Sequence, residues 1–280
     1  MRIVEHHKLI QTLSQNLVIS IAAGLFAIES QILILDYFYF SFASAAFLIT
    51  WSVYSFLRKE VLGKAKQLLV YSAFLTFGAS VLNYFTYFNE RSDDTFQNFT
   101  EEPFVPLLTI GASSILVLLY DPSLFIRKIS WSGLRGYTWI KPLIIAYSWV
   151  LITTAMQFLF DDFAGCSPWM FIEKLLFVYA LAIASDIVDV ERDQTLRTVP
   201  KVYGISFAKR IIYFVLCVQC SIVFLAGYDT IQTVAIASTS IITIILIASL
   251  KEGYQHRSVI AVDTMFVIRA AAILLLYYCV

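Results

Sequence analysis

Apolar residues fill this chain in long unbroken runs, and polar residues gather in short clusters between them. Nine runs approach membrane-spanning length, near 12–35, 38–57, 67–88, 104–120, 140–160, 169–185, 209–227, 231–250 and 260–279. A hydrocarbon layer about 30 Å thick takes about 20 residues of helix to cross, so each run predicts one spanning helix. The alternating ten-residue segments of a lipid-embedded barrel do not occur, and backbone amides in hydrocarbon must pair within their own segment, which leaves helices. The expected fold is therefore all-α: a polytopic membrane bundle of nine transmembrane helices. Residues 1–280 form a single domain, because no long linker, low-complexity tract or repeat interrupts the pattern. The basic start MRIVEHHK precedes a run too long for the core of a cleaved signal, which predicts a retained first helix.

Composition strengthens this reading. Of 280 residues, 59% are hydrophobic and 14% charged, with a mean hydropathy of +0.77, outside the range of ordinary soluble domains. Net charge is zero, so nothing draws the chain to nucleic acid, and the information lies in where each sign sits. With the N-terminus in the cytoplasm, 17 of the 20 Lys and Arg residues fall in inner segments, while the outer loops hold Arg91 alone and most of the loop acids. That asymmetry follows the positive-inside rule and would invert beyond any miscounted helix. The expected location is a bacterial inner membrane, crossed many times, with lipid as the surrounding partner. Cys217 and Cys220 lie in an apolar stretch without nearby histidines and read as core packing rather than a metal site.

One segment stands apart. After the sixth run comes SDIVDVERDQTLRTVP, residues 185–200. On a continuous helix Asp186, Asp189 and Asp193 share a face roughly 60° wide, while Glu191 points away. Three carboxylates crowded at the rim of a low-dielectric bundle repel one another unless a cation sits among them. Hard oxygen ligands suit Mg²⁺, which takes one or two protein carboxylates and completes its shell with water and substrate phosphates. Arg197, Thr198 and Lys201 follow closely and offer what diphosphate oxygens need, and Pro200 is expected to stop any helix there. A solvated helix end with mixed charge accounts for the same spacing equally well.

The string DIVDVERDQTLRTVPKVYG closely resembles the second aspartate-rich motif of the UbiA superfamily of intramembrane prenyltransferases, D-x-x-D-x-x-x-D followed by a T-L-P-like segment. The matching residues are Asp186, Asp189, Asp193, Thr198 and Pro200, with Val199 in place of the usual leucine. The motif follows the sixth of nine helices in that family, as here, and GLRGYTWIKPLIIAYSWVLIT, residues 133–153, is similar to its fourth-to-fifth connection and fifth helix. The resemblance implies a UbiA-like fold and a Mg²⁺-dependent prenyl transfer from an isoprenoid diphosphate to a lipophilic acceptor, at the cytoplasmic side. Asp186, Asp189 and Asp193 would hold the metal; Arg197 and Lys201 would hold diphosphate, with Arg135 and Lys141 beside them. Sixteen tyrosines, twenty-three phenylalanines and five tryptophans permit an aromatic chamber for a carbocation, although most must serve as core or interfacial anchors.

The first motif of that family, N-D-x-x-D-x-x-x-D at the end of the second helix, is missing. VYSFLRKEVLG, residues 53–63, carries Glu60 as its sole acid, with Arg58 and Lys59 where carboxylates would stand. Those two cations either replace a second metal in neutralising diphosphate or are ordinary positive-inside residues. The acidic stretch that begins at Asn83 falls on the opposite face of the membrane and cannot join the site. The alternative function is therefore a catalytically decayed relative that binds an isoprenoid or other lipid without turnover. Inside the spans, Glu29, Asp263 and Arg269 are costly charges for which the sequence shows no partner; Asp263 and Arg269, six residues apart, face opposite ways.

Overall fold

The computed structural model describes residues 2–35, 39–57, 133–155, 167–191, 196–250 and 256–279, with isolated helical positions at 75, 78, 79, 82, 119 and 120. Every regular element among them is helical. The long helices are α1 (Arg2–Leu35), α2 (Phe40–Leu57), α3 (Ile140–Val150, continued by a π-helical turn Leu151–Ala155), α4 (Pro168–Val188), α5 (Ile205–Val223), α6 (Thr230–Ser249) and α7 (His256–Cys279). A short helix, Val199–Tyr203, precedes α5. The runs at 67–88 and 104–120 lie almost wholly outside the described residues; the others correspond to α1–α7 within a few residues, except that α1 begins at Arg2, ten residues before its run.

Among the described residues four helices are long and apolar enough to cross a bilayer: Leu13–Leu33 of α1, Ile205–Val223, Thr230–Ser249 and Ile260–Tyr278 of α7. Phe40–Ser55 and Ile140–Thr154 are apolar but shorter. Large apolar side chains cover the outer faces, as with Phe214, Val234, Ile241 and Ile245, which water would not favour and lipid does. The chain is a helical membrane protein. Cys217 belongs to that outer face of α5 and is exposed, so it does not pack in the core as its apolar neighbours suggested.

Local chemistry sets the helix ends. Ser167 caps α4, its hydroxyl accepting from the Trp169 amide, and Pro168 takes the first helical position, where no amide hydrogen is needed. Asp229 caps α6 through a reciprocal pair with Gln232, the Gln232 amide reaching Asp229 Oδ1 at 2.6 Å. At the other end of α6, Lys209 of α5 donates to the carbonyls of Ala248 at 3.0 Å and Leu250 at 2.6 Å, satisfying acceptors the helix cannot pair itself.

The helices close into a ring. Around it α1 neighbours α7, α7 neighbours α6, then α5, α4 and α3, whose π-helical turn returns to α1; α4 also meets α7 across the middle, and α2 packs outside α1. Small residues permit the α1–α2 contact: a Cβ on Gly24 would stand 3.3 Å from the Ala43 carbonyl, and Ala27, Ala45 and Ala46 are buried alongside. The ring is filled by an aromatic quartet. Phe266 of α7 stacks on Trp149 of α3 at 4.5 Å and meets Phe26 of α1 and Phe177 of α4 edge-on at 5.6 and 5.8 Å. Each such pair contributes about 0.5–1.5 kcal/mol beyond the area it buries.

Gly204 joins the short helix to α5 with φ of +88°, a conformation costly to any residue with a Cβ. Its neighbourhood is open, so the cost of substitution is conformational alone. Gly204→Ala is expected to lower stability by roughly 1–2 kcal/mol, read as a drop in the thermal midpoint of the detergent-solubilised protein; an unchanged midpoint would show that this joint is not held as described.

Candidate functional site

Chain direction alternates around the ring, so the starts of α3, α5 and α7 share one end of the bundle with the ends of α4 and α6. The aspartate segment is at this end. Asp186, in the last turn of α4, is 5% exposed, and Lys141, in the first turn of α3, likewise 5%. Lys141 Nζ donates to Asp186 Oδ1 at 2.5 Å. Each charge sits on the wrong end of its own helix: a cation at the positive N-terminus of α3 and an anion at the negative C-terminus of α4. Their mutual attraction offsets that cost.

The helix does not continue through the aspartates. It ends at Val188, and Asp189 follows as its cap with φ −92° and ψ 8°, its amide donating to the Ser185 carbonyl at 3.0 Å. The single shared face expected for Asp186, Asp189 and Asp193 therefore does not form as a continuous helical stripe. Further acids there would add to the negative potential of the helix end. Asp193 lies outside the described residues, as do Arg58 and Lys59.

Pro200 does not stop a helix either. It occupies the first turn of Val199–Tyr203, where proline's missing donor costs nothing. That short helix folds against α4 with Val199 and Pro200 fully or nearly buried. Thr198, at its N-cap position, is 0% exposed, and its hydroxyl makes neither a capping bond nor any other hydrogen bond among the described residues. Arg197 and Lys201 are exposed. Arg135 falls in a 3₁₀ turn, Leu134–Gly136, just before α3, with its side chain outside the described set. The structure thus brings Lys141, Asp186, Asp189 and Thr198 to one end of the bundle and leaves Arg197 and Lys201 on its surface. Among the described residues no group of three or more His, Cys, Asp or Glu side chains is close enough to hold a metal ion by itself.

A second charged cluster lies deeper. Along α4, Glu173 is thirteen residues from Asp186, about 20 Å of helix. Arg269 of α7 grips Glu173 through both of its terminal nitrogens, at 2.7 and 2.8 Å, and its Nε reaches Glu29 of α1 at 2.9 Å. Lys174 donates to the same Glu29 oxygen at 2.7 Å. Gln219 of α5 donates to Glu173 and accepts from Ser240 of α6 at 2.7 Å. Glu29, Glu173, Lys174 and Arg269 are all 0% exposed, and their charges cancel. Lys174 lies over the Phe26 ring at 4.3 Å and Arg269 over Phe177 at 4.5 Å, so the cluster stacks directly under the aromatic quartet. Tyr228, in the turn after α5, donates to Glu173 Oε2 at 3.4 Å. Removal from water, and then the nearby Glu173 carboxylate, push this phenol well above its ordinary range, so it remains a donor.

Glu29 and Arg269 are visible in the sequence as unexplained intramembrane charges; their partners Glu173 and Lys174 lie inside the run 169–185, where two adjacent opposite charges do not mark either as the partner of another helix. The available signal was a further acid and base inside a run of membrane-spanning length. Asp263, also buried, stands six residues from Arg269, and Arg269 is satisfied by the two glutamates instead.

The chain matches no protein-family profile, no curated protein and no solved structure. Its chemistry is therefore argued from these two clusters. Removing one member of a buried charge network leaves its partner uncompensated and costs about 3–5 kcal/mol. Arg269→Leu is expected to lose that much stability, and Arg269→Leu with Glu173→Leu to regain at least half, since the Glu29–Lys174 pair remains neutral. Thermal unfolding in detergent reads both; a double variant no more stable than the single one would refute charge balance as the role of this cluster.

Proposed function

We propose that the chain is a UbiA-like, nine-span membrane prenyltransferase that transfers an isoprenoid group from its diphosphate to a lipophilic acceptor, with the N-terminus and the site on the cytoplasmic side of a bacterial inner membrane. The observation that carries this reading is the meeting of Asp186, Asp189, Thr198 and Lys141 at one bundle end, with the aromatic quartet deeper in the same ring.

The donor set fits Mg²⁺. One or two carboxylates are the usual protein share for this ion, and Asp186 and Asp189 would supply them at a helix C-terminus, where a cation is favoured. Asp193 would extend the set. The buried hydroxyl of Thr198, with no hydrogen-bond partner, offers a further oxygen or a donor to phosphate. When bound, Mg²⁺ would neutralise the charge that builds on the departing diphosphate.

The chain's own residues divide the remaining work. Lys141 is held by Asp186 without substrate; a cation on Asp186 would free its ammonium for diphosphate oxygens. The allylic C–O bond breaks with its electron pair going to diphosphate, the acceptor's electron pair forms the new bond to the allylic carbon, and the acceptor's proton leaves to water at the rim. Buried apolar and aromatic walls exclude the water that would otherwise capture the cationic carbon. Arg58, Lys59 and Arg135 are further candidates for diphosphate, as are Arg197 and Lys201 at the mouth.

A second reading, an isoprenoid-binding relative without turnover, is favoured by the lack of a carboxylate cluster in residues 53–63. Incubating the purified protein with Mg²⁺ and a panel of prenyl diphosphates separates the two: diphosphate release supports the enzyme, and saturable binding without release supports the binder. Asp189→Asn is expected to abolish Mg²⁺-dependent release while leaving the folded fraction unchanged. Full turnover in that variant would remove the site assignment.

A further inference from the structure

Beside the acid-bearing end, an apolar surface faces outward from the ring where no described helix covers it. The rings of Trp139, Tyr203 and Phe207 form a triangle, with centroids 5.5, 5.2 and 6.3 Å apart. They link the turn before α3 to the short helix and the first turn of α5. Burial is one-sided. The short helix turns Val199 and Pro200 inward, while Val202 is 47% and Tyr203 50% exposed; Trp139 and Ile140 are 37% exposed.

Cations flank these rings. Arg197 and Lys201 are exposed on either side of the inward-facing pair, and Arg210 is exposed on α5. Phe207, Arg210 and Phe214 recur at spacings of three and four, so they share one face of α5, and Phe214 at its lower end is 67% exposed. Lys209 is already committed to the α6 carbonyls. Asp189 and Glu191 are the acids described between 189 and 210, and neither lies on the aromatic triangle. An amphipathic turn with apolar side chains outward, rings at its edge and cations around it is suited to the boundary of a bilayer.

We propose that this rim binds anionic phospholipid, with Trp139, Tyr203 and Phe207 at headgroup depth and Arg197, Lys201 and Arg210 on lipid phosphates. The rim therefore marks the membrane boundary at this end of the bundle and places Asp186 and Lys141 close to headgroup level. The proposal does not depend on the isoprenoid reading.

The test begins with protein purified into mild detergent and equilibrated with equal amounts of phosphatidylglycerol and phosphatidylcholine, followed by mass-spectrometric measurement of retained lipid. Each cation near an anionic surface favours it roughly fivefold, so wild type is expected to retain phosphatidylglycerol at least about that much over phosphatidylcholine. The Arg197→Gln, Lys201→Gln, Arg210→Gln variant should lose the preference. Equal retention of both lipids by wild type, or an unchanged preference in the variant, would overturn the proposal. A conservative arm covers a variant that does not fold: the emission lost in Trp139→Phe should be quenched more by brominated phosphatidylglycerol than by brominated phosphatidylcholine, and equal quenching counts against the site. Inorganic diphosphate with Mg²⁺ distinguishes the two phosphate sources. Lipid retained in its presence supports a separate headgroup site, and displaced lipid would assign these cations to the acid cluster instead.

Discussion

A charge inside this bundle has nowhere to go but to another charge. The charged side chains of the deep cluster are fully buried, and a carboxylate or guanidinium left uncompensated there would cost about 3–5 kcal/mol, a large share of a protein's whole stability. Glu29, Glu173, Lys174 and Arg269 solve this by closing on one another with no charge left over. Because they come from α1, α4 and α7, their closure also fixes how those helices sit. Gln219 and Ser240 extend the same constraint to α5 and α6. Sliding any one of these helices by a turn would move a charged group about 5 Å from its partner. The ring therefore has one favourable register, and the aromatic quartet stacked on Arg269 and Lys174 inherits it.

The acid end obeys a different balance. Lys141 and Asp186 also pair, but each opposes the field of its own helix, and Asp189 and the helix carbonyls add further negative potential nearby. Thr198 brings a buried hydroxyl without a partner. Stability alone would have been served by reversing the two charges or by apolar residues of the same size. A cluster that carries this electrostatic cost at the bundle's edge, next to a lipid-facing aromatic rim, has the character of a site rather than of a structural clasp.

Much of the fold was legible as length. Seven of the runs of apolar residues became α1 to α7, most with ends shifted by a few residues and α1 extended ten residues toward the N-terminus, because helix is the only element that pairs its own backbone in lipid. What periodicity could not reveal was where a helix stops for electrostatic reasons. A wheel drawn through Asp193 assumes an α-helix that in fact closes at Val188, and Pro200 read as a terminator although it opens a helix. The deep cluster was half visible. Glu29 and Arg269 announced themselves as intramembrane charges, but pairing across 240 positions of sequence is a property of the folded ring. The Lys141–Asp186 pair was likewise hidden: Asp186 was a candidate for the metal and Lys141 for diphosphate, and neither spacing nor composition said that they meet.

The contrast between the two clusters suggests how polar groups in such a bundle divide between holding and acting. In the deep cluster every charge is answered from within, so a ligand entering there would have to break two or three charge-assisted bonds before making its own. At the acid end Lys141 and Asp186 pair near the rim, and an arriving divalent cation would gain the carboxylates while returning Lys141 to any anion that came with it. A cation and a phosphate ester would thus bind there more favourably together than apart, each relieving what the other leaves uncompensated. The same arrangement explains why the bundle is locked tightly in its other half. A site that exchanged an ion pair for a ligand would need a frame that does not shift during the exchange, and the neutral knot about 20 Å away along α4 would supply it.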